Sequence, residues 1–455
     1  LGKIKSVNPA TGELNGEFNL YSQQVVDEKI GNSRKAFAQW KNEPLCERTF
    51  SIECVGEVLR NRKEELAELI TKEMGKPIRE SMSEIEKCAW TCDYFSRNAE
   101  SFLEPEFVET DAETSGFVYE PMGTVLSIMP WNFPFWQALR FGIPALAGGN
   151  TVLLKHASNV PMCALEIEKI FAEAGMPEGV YQTLLVDGPT ASSLISKDEI
   201  NAVTFTGSQP AGEKVAEAAG RSIKKVVLEL GGSDPLIVLE DADIEKVAEA
   251  AVSARFQNCG QSCIAAKRLL VDEKIAEAFT DRFIDKVAEL NIGDPMDQNT
   301  DMGPLSSEAQ RDIIEKQMAR TLEMGAKVLL EGGSPEGDGF FYQPVVLSDI
   351  NKEAPVVREE TFGPVAPIIT FNNDEEAIKL ANSTEFGLGA SIWSKETERA
   401  MRMTRHIEAG NIAINNLVAS DPRLPFGGMK KSGIGRELYR IGMLEFMTVK
   451  SMKVY

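Results

Sequence analysis

Short continuous apolar runs recur through the middle of the chain, and the stretches between them carry apolar residues at helical spacing. A first series is Val125–Met129, Thr151–Leu154, Tyr181–Val186, Ala202–Thr206 and Lys225–Leu230. Runs of this kind need burial on both faces, and helix-length separators between them predict a parallel sheet with right-handed crossovers. One separator, with Cys163, Ile167, Ile170, Phe171 and Ala174 on one face, is closed by Gly175 and Pro177. A second series starts at Pro235–Leu239, where Asp243 caps a predicted helix carrying Ile244, Val247, Ala248, Ala251 and Val252. That helix must end by Gly260, and the strands Arg268–Val271, Ala366–Phe371, Ala390–Trp393 and Asn411–Ile414 complete a second α/β unit. The first hundred residues read as helices: Leu66, Leu69, Ile70 and Met74 share a face, and Gly75 with Pro77 supplies the stop. Alternating segments around Asp111 to Gly116 predict a hairpin, and Met447–Val454 a terminal strand able to cover its edge, in the same molecule or across subunits.

Composition narrows the function. A chain of 455 residues implies two or three packed units, and 43% hydrophobic with 26% charged residues is a globular balance. No apolar run reaches the ~20 residues that span a bilayer, and Leu1 to Val7 lacks a signal-peptide core, so no membrane association and a cytoplasmic location are expected. A formal charge of −21 repels polyanions, which excludes nucleic acid as a partner. Seven cysteines, with no C-x-x-C pair, suit free thiols in a reducing compartment. With only two histidines, His156 and His406, neither a histidine-built metal site nor a Cys–His hydrolase has much to draw on, and no metal is expected.

Four segments offer chemistry. In Phe256-Gln-Asn-Cys-Gly-Gln-Ser-Cys263 a thiol follows Gly260 on the loop between helix and strand, where backbone amides can turn toward an oxyanion. Read alone, Cys263 is equally a small buried hydrophobe, and its thiolate needs a cation, a helix end or a base to form near neutral pH. Pro130-Trp-Asn-Phe-Pro134 leaves a strand at the carboxyl edge of the sheet, so Asn132 is either a turn residue or a side-chain amide aimed at a developing alkoxide. Leu228-Glu-Leu-Gly-Gly232 carries Glu229 inside an apolar run, a costly position unless the acid is functional, paired or protonated. Phe205-Thr-Gly-Ser208 ends a strand at a helix start, where phosphate oxygens find free amides, although G-x-x-x-x-G to Gly212 is not the standard dinucleotide spacing.

Together and in this order, these segments resemble the aldehyde dehydrogenase superfamily over nearly the whole chain; Leu154-Lys155, Glu359-Glu-Thr-Phe-Gly-Pro364 and Pro425-Phe-Gly-Gly428 add to the match. The resemblance implies an α/β fold with a Rossmann-like cofactor domain (1–105 and 123–230), a catalytic domain (231–435), and a small β oligomerisation element (106–122 and 443–455), assembled as a homodimer or homotetramer. It implies that Cys263 attacks a small-molecule aldehyde, that Asn132 and the Cys263 amide hold the oxyanion, and that Glu229 activates water to hydrolyse the thioester. Relatives that pass the acyl group to coenzyme A generally lack that glutamate. For the cofactor it implies Trp131, Lys155, Ser158, Gly207, Ser208, Glu360 and Phe362. NAD-preferring relatives often carry a glutamate three residues after the lysine; Ser158 stands there, which favours NADP over NAD.

Trp136-Gln-Ala-Leu-Arg140, Lys155-His-Ala-Ser158 and Ser420-Asp-Pro-Arg-Leu-Pro-Phe-Gly-Gly428 resemble the succinate-semialdehyde dehydrogenase branch. By that resemblance Arg140 pairs with the substrate's distal carboxylate and Ser420 adds a hydroxyl, supplying the local positive charge that a −21 chain lacks. Some members of the branch carry a second arginine six residues before the nucleophile, where this chain has Gln257. Cys259 invites a reversible disulfide with Cys263, against a gap-filling side chain as the plainer role. Cys88 and Cys92 suggest no more than a helix face. The competing functions are a short-chain aldehyde dehydrogenase of broader specificity, a cofactor-independent thiol hydrolase, and a non-catalytic scaffold; a scaffold has no need of Cys263, Glu229 and Asn132 together.

Overall fold

In the computed structural model, which describes residues 2–455, each apolar run of the first series becomes a strand whose successive residues enter different cores. Val125, Val152, Ala202 and Val227 join one hydrophobic cluster, shared with helices of the first hundred residues, while Leu126, Leu153, Val203 and Leu228 join another. Side chains alternate across a strand with a period of two, so burial of both faces removes the polar alternation that a half-exposed strand shows. The strand order is Gly433–Ile434, Lys225–Glu229, Ala202–Thr206, Thr124–Met129, Thr151–His156, Tyr181–Thr183. All pairings are parallel except that of Gly433–Ile434. Chain direction along the sheet reverses between Thr124–Met129 and Ala202–Thr206, and such a switch point opens a crevice above the carboxyl ends of the two strands. Residues 130–132 and 207–208 leave the sheet there.

The second sheet runs Lys327–Leu330, Val345–Ser348, Val365–Phe371, Ala266–Asp272, Asp234–Val238, Gly389–Trp393, Asn411–Ile414, antiparallel only at Lys327–Leu330. Asp243 caps the helix Ile244–Phe256 by accepting the Lys246 amide. Past Phe256 a short 3-10 turn over Gln257–Gly260 delivers the chain to Cys263 and then to Ala266–Asp272.

Three features depart from expectation, and a fourth resolves an alternative left open. The chain begins with a hairpin, Lys3–Val7 against Leu14–Asn19, rather than with helices. These strands are mostly polar, with Ser6 the one buried residue of the first, so they carry no hydrophobic period to detect. The strand drawn over 181–186 stops at Thr183. Residues after Phe426 return to the first sheet: Gly433–Ile434 extends it, and Phe426, Leu438, Met443 and Phe446 lie in its core, so the unit expected to run to 435 gives up its last segment. Finally, Met447–Val454 pairs in register along Thr114–Pro121 within the same molecule, with Glu106–Phe107 on the other side.

The helix Ile78–Phe102 binds these parts together through two carboxylates. Glu84, 4% exposed, pairs with the fully buried Lys76 and accepts the Phe135 and Trp136 amides, both at 2.9 Å, at the start of the helix Pro134–Ala147. Lys76 also lies over the Phe133 ring, 3.6 Å from its centroid. One turn earlier, Glu80 accepts the Asn258 amide at 3.0 Å, reaching the turn that precedes Cys263. Because breaking a buried ion pair strands the remaining charge, Glu84→Ala is expected to cost about 3–5 kcal/mol. Urea denaturation measures this, and a loss below about 1 kcal/mol would mean the pair does not anchor the 130–136 segment.

Candidate active site

Both cores contribute one loop to a shared cleft. From the first sheet comes Asn132, 3% exposed, whose Nδ2 donates to the Gln261 carbonyl at 3.1 Å. In return the Asn258 Nδ2 donates to the Asn132 carbonyl at 2.9 Å. The facing loop is held by a backbone reversal in which Asn258, Cys259 and Gly260 have φ of 51°, 56° and 71°. Left-handed conformation at two successive non-glycine residues is strained and survives only where the surroundings over-determine it. Here Gln261 donates to the Asn258 carbonyl at 3.0 Å and accepts the Ser306 amide at 2.9 Å, while buried Lys267 donates to the Ser262 and Cys263 carbonyls, each at 2.7 Å. One Asn132 N–H remains beyond its Gln261 bond. A Cβ at Gly260 would lie 2.6 Å from the Gly363 carbonyl, so the reversal tolerates only glycine there.

Sequence reasoning looks for something that lowers the Cys263 pKa; the structure supplies the opposite balance. Burial pushes the thiol up to about 11, opposed by Lys267 and Arg140 and aided by Glu360 and Asp234. Glu229 is 2% exposed, and both its oxygens are buried without a hydrogen-bond partner. Desolvation, reinforced by the Glu437 carboxylate, holds its acid far above the ordinary carboxylate range, with Arg140 and Arg436 pulling the other way. Its Oε1 faces Gly427, where an added Cβ would approach to 2.8 Å. Glu229 is therefore a desolvated acid that holds its proton much more tightly than an ordinary carboxyl group does. His156, with Nδ1 accepting the Ala157 amide and Nε2 bonded to the Pro134 carbonyl, is depressed by burial to about 4 and is a neutral brace for the 130–134 loop.

Arg140, expected to supply a local positive charge, is 2% exposed and ion-paired with the equally buried Glu437, with its guanidinium 4.9 Å from the Phe426 centroid. Two ions removed from water require each other, and the pair is fully desolvated. Its Nη2 nevertheless has no hydrogen-bond partner. Ser420 is buried and accepts from the Lys87 Nζ at 2.7 Å. Glu437 and Lys87 were both missed by sequence reasoning; Glu437 follows the glycine-rich return after Pro425-Phe-Gly-Gly428, whereas Lys87 on its amphipathic helix carries no signal. Cys259 packs in the core of the second sheet while Cys263 packs against that of the first. Both are free thiols.

Of the residues expected to hold a dinucleotide, Trp131, Lys155, Gly207 and Ser208 lie at the carboxyl end of the first sheet, and Glu360 and Phe362 precede the strand Val365–Phe371 of the second. Ser208 starts the helix Gln209–Arg221 without a side-chain cap, leaving first-turn amides open, and the Thr206 Oγ1 is buried without a partner. Gly207 donates its amide to the Glu229 carbonyl at 3.0 Å. Lys155 is half-buried with its pKa lowered by desolvation against the pull of Asp187, and Ser158 is exposed beyond it. Glu360 accepts the Gly232 amide at 3.1 Å, and the Phe362 ring meets Trp131 edge-on at 5.7 Å. Open helix amides, an orphaned hydroxyl and a lysine beyond a switch point fit a pyrophosphate-linked dinucleotide. Among the described residues no cluster of His, Cys, Asp or Glu is arranged to hold a metal, and no helix is long and apolar enough to cross a membrane.

Comparison with known proteins agrees with this geometry. Residues 2–452 match the family model described as "Aldehyde dehydrogenase family". The chain is 47% identical over 449 residues to a Synechocystis sp. protein named "Probable succinate-semialdehyde dehydrogenase [NADP(+)]", covering 99% of each chain. It is 42% identical to the Escherichia coli succinate semialdehyde dehydrogenase [NAD(P)+] Sad, over 98% of this chain and 97% of that one. Among solved structures, a succinic semialdehyde dehydrogenase from Streptococcus pyogenes in complex with NADP+ superposes with a TM-score of 0.97 at 34% identity, covering 99% of both chains.

The raised thiol makes a direct prediction. Iodoacetamide labelling of the Cys263 peptide, followed by mass spectrometry in the cofactor-free enzyme, is expected to keep accelerating with pH toward about 11. A plateau near the ~8.5 of an ordinary cysteine would contradict the desolvated site.

Proposed function

This chain belongs to the aldehyde dehydrogenase family and is an NAD(P)-dependent aldehyde dehydrogenase, and from that premise we propose that it oxidises succinate semialdehyde, or a similarly short semialdehyde, to the acid with NADP as the preferred cofactor. The observation that carries the substrate reading is the buried Arg140 arm, Nη2, left unpartnered and close enough for its charge to act on Cys263. A neutral aldehyde gives that donor nothing, whereas a carboxylate satisfies it.

In this reading the Cys263 thiol releases its proton to water as the sulfur bonds to the aldehyde carbon, and the carbonyl oxygen becomes an alkoxide held by the Asn132 side chain and the Cys263 amide. Such a donor is worth about 2.7–4 kcal/mol where one has been deleted. Lys155, Gly207 and Ser208 would hold NADP together with Glu360, Trp131 and Phe362, and the cofactor would supply the acceptor for the hydride that leaves that carbon. The acyl group stays on Cys263 as a thioester. Glu229 then takes a proton from water as the oxygen adds to the acyl carbon, and the sulfur leaves. An acid held so far up is a strong base once ionised, so hydrolysis gains with pH while the carboxyl is losing its proton. The NADP preference rests on Ser158, which presents a hydroxyl and no negative charge toward a 2′-phosphate. Val449, Met452 and Val454 leave the terminal strand with exposed apolar side chains, which supports a homodimer or homotetramer joined through that sheet.

Initial rates with succinate semialdehyde and butanal, each with NADP and NAD, test the reading. We expect kcat/KM to be highest for the semialdehyde with NADP, and Ser158→Glu to shift the NADP-to-NAD ratio by about tenfold toward NAD. Equal kcat/KM for both aldehydes would overturn the substrate assignment, and an unmoved cofactor ratio would overturn the role of Ser158.

A further inference from the structure

Near Arg140, Arg140 itself is paired with Glu437 and Lys76 with Glu84, while Arg423 holds Asp421 through two bonds of 2.9 and 2.6 Å. Arg436 is taken up by the Gly428 and Gly435 carbonyls. Lys87 has no carboxylate partner. Its Nζ donates to the Ser420 hydroxyl at 2.7 Å and lies 4.4 Å from the Trp136 ring centroid, both neutral partners. Among the described residues it forms no ion pair with a carboxylate within 4.0 Å.

Extending the semialdehyde reading above, on which it rests, we propose that Lys87 is a specificity-determining residue whose ammonium binds the distal carboxylate of the substrate, together with the free Nη2 of Arg140 and the Ser420 hydroxyl. Three observations converge on it. First, the charge of Arg140 is already matched by Glu437, so an incoming carboxylate bound by Arg140 alone would bring the group to net negative; Lys87 restores neutrality. Second, three separate elements converge: Lys87 of the helix Ile78–Phe102 meets Ser420 of the 415–424 segment and lies over Trp136 of the helix Pro134–Ala147, the helix that carries Arg140 one turn further on, close enough for its charge to act on Lys87. Third, Lys87 is half-buried whereas Arg140 is closed off, so of the two cations Lys87 is the one that still reaches solvent. In a chain of −21 such a cation also draws the substrate in against the overall field.

The ammonium faces Glu84 and Cys88 on its own helix, Arg140 from the next, and Asp421 with its partner Arg423 from the loop. Burial, then the Arg140 charge, lowers it to about 8. It is therefore charged below that pH and neutral above it. The test is kcat and KM for succinate semialdehyde and for uncharged butanal, from pH 6.5 to 9.5, in the wild type, Lys87→Met and Lys87→Arg.

Expected is a KM for the semialdehyde about 10- to 100-fold higher in Lys87→Met, as for a lost charge-assisted hydrogen bond, with the semialdehyde-to-butanal ratio of kcat/KM falling alike. Lys87→Arg should restore most of that ratio. In the wild type the ratio should fall as pH rises through about 8, and in Lys87→Arg it should stay flat, since arginine keeps its proton. Groups that serve both substrates, such as Cys263 and Glu229, cancel in the ratio. A wild-type ratio retained by Lys87→Met overturns the assignment of Lys87 while leaving the substrate reading intact. Should Lys87→Met not fold, identical pH profiles for the wild type and Lys87→Arg overturn it equally. No preference for the semialdehyde in the wild type overturns the substrate reading, and this proposal with it.

Discussion

The site depends on a reversed turn, residues 258–260, pressed against the amide of Asn132. Three successive left-handed residues turn the chain so that the loop bearing Cys263 faces the end of the first sheet. Such a conformation does not hold itself. It is kept by the reciprocal bonds of Asn132 and Asn258, by Gln261 reaching back across the turn, by Glu80 on the Asn258 amide, and by Lys267 beneath the Ser262 and Cys263 carbonyls. Since Glu80 and Glu84 lie one turn apart on one helix, the same rigid element fixes the amide loop through Phe135 and Trp136 and the thiol loop through Asn258. Two sheets with separate cores thereby present one constellation.

Dryness is the second condition, and it acts on each reactive group in the same direction. Removed from water, the Cys263 thiol and the Glu229 acid both hold their protons, because burial disfavours the charged form of either. The low local dielectric that suppresses those charges also strengthens the dipoles aimed at a developing alkoxide. Arg140 and Lys267 soften the penalty on the thiol without touching it, and Glu437 keeps Arg140 from becoming an isolated buried ion. A site built in this way has its charges supplied in pairs, so an unpaired one is informative.

Legibility in the sequence followed burial. Strands buried on both faces were visible as apolar runs, since Val125 and Leu126, or Val152 and Leu153, had to be apolar to serve two cores at once. The opening hairpin was invisible because its strands lie against the protein with polar residues, and the return of residues 433–434 to the first sheet was invisible because pairing over two hundred positions leaves no local mark. At the site, Cys263, Asn132 and Glu229 stood out through their segments, not through composition. The partners that set their electrostatics did not: Glu437 and Lys87 come from distant segments, Lys267 stands only four residues past Cys263 but carries no signal of its own, and only the folded chain brings their charges to bear on Arg140 and Cys263.

The central claim is that oxidation and hydrolysis are separate steps joined by an acyl group on Cys263, the second needing Glu229. Intact-protein and peptide mass spectrometry of Glu229→Gln, mixed with semialdehyde and NADP, tests it most directly. The account predicts one equivalent of NADPH per chain, formed in a burst, and an acyl group retained on the Cys263 peptide. Steady turnover at the wild-type rate, or an unmodified Cys263 after that equivalent has formed, would contradict it.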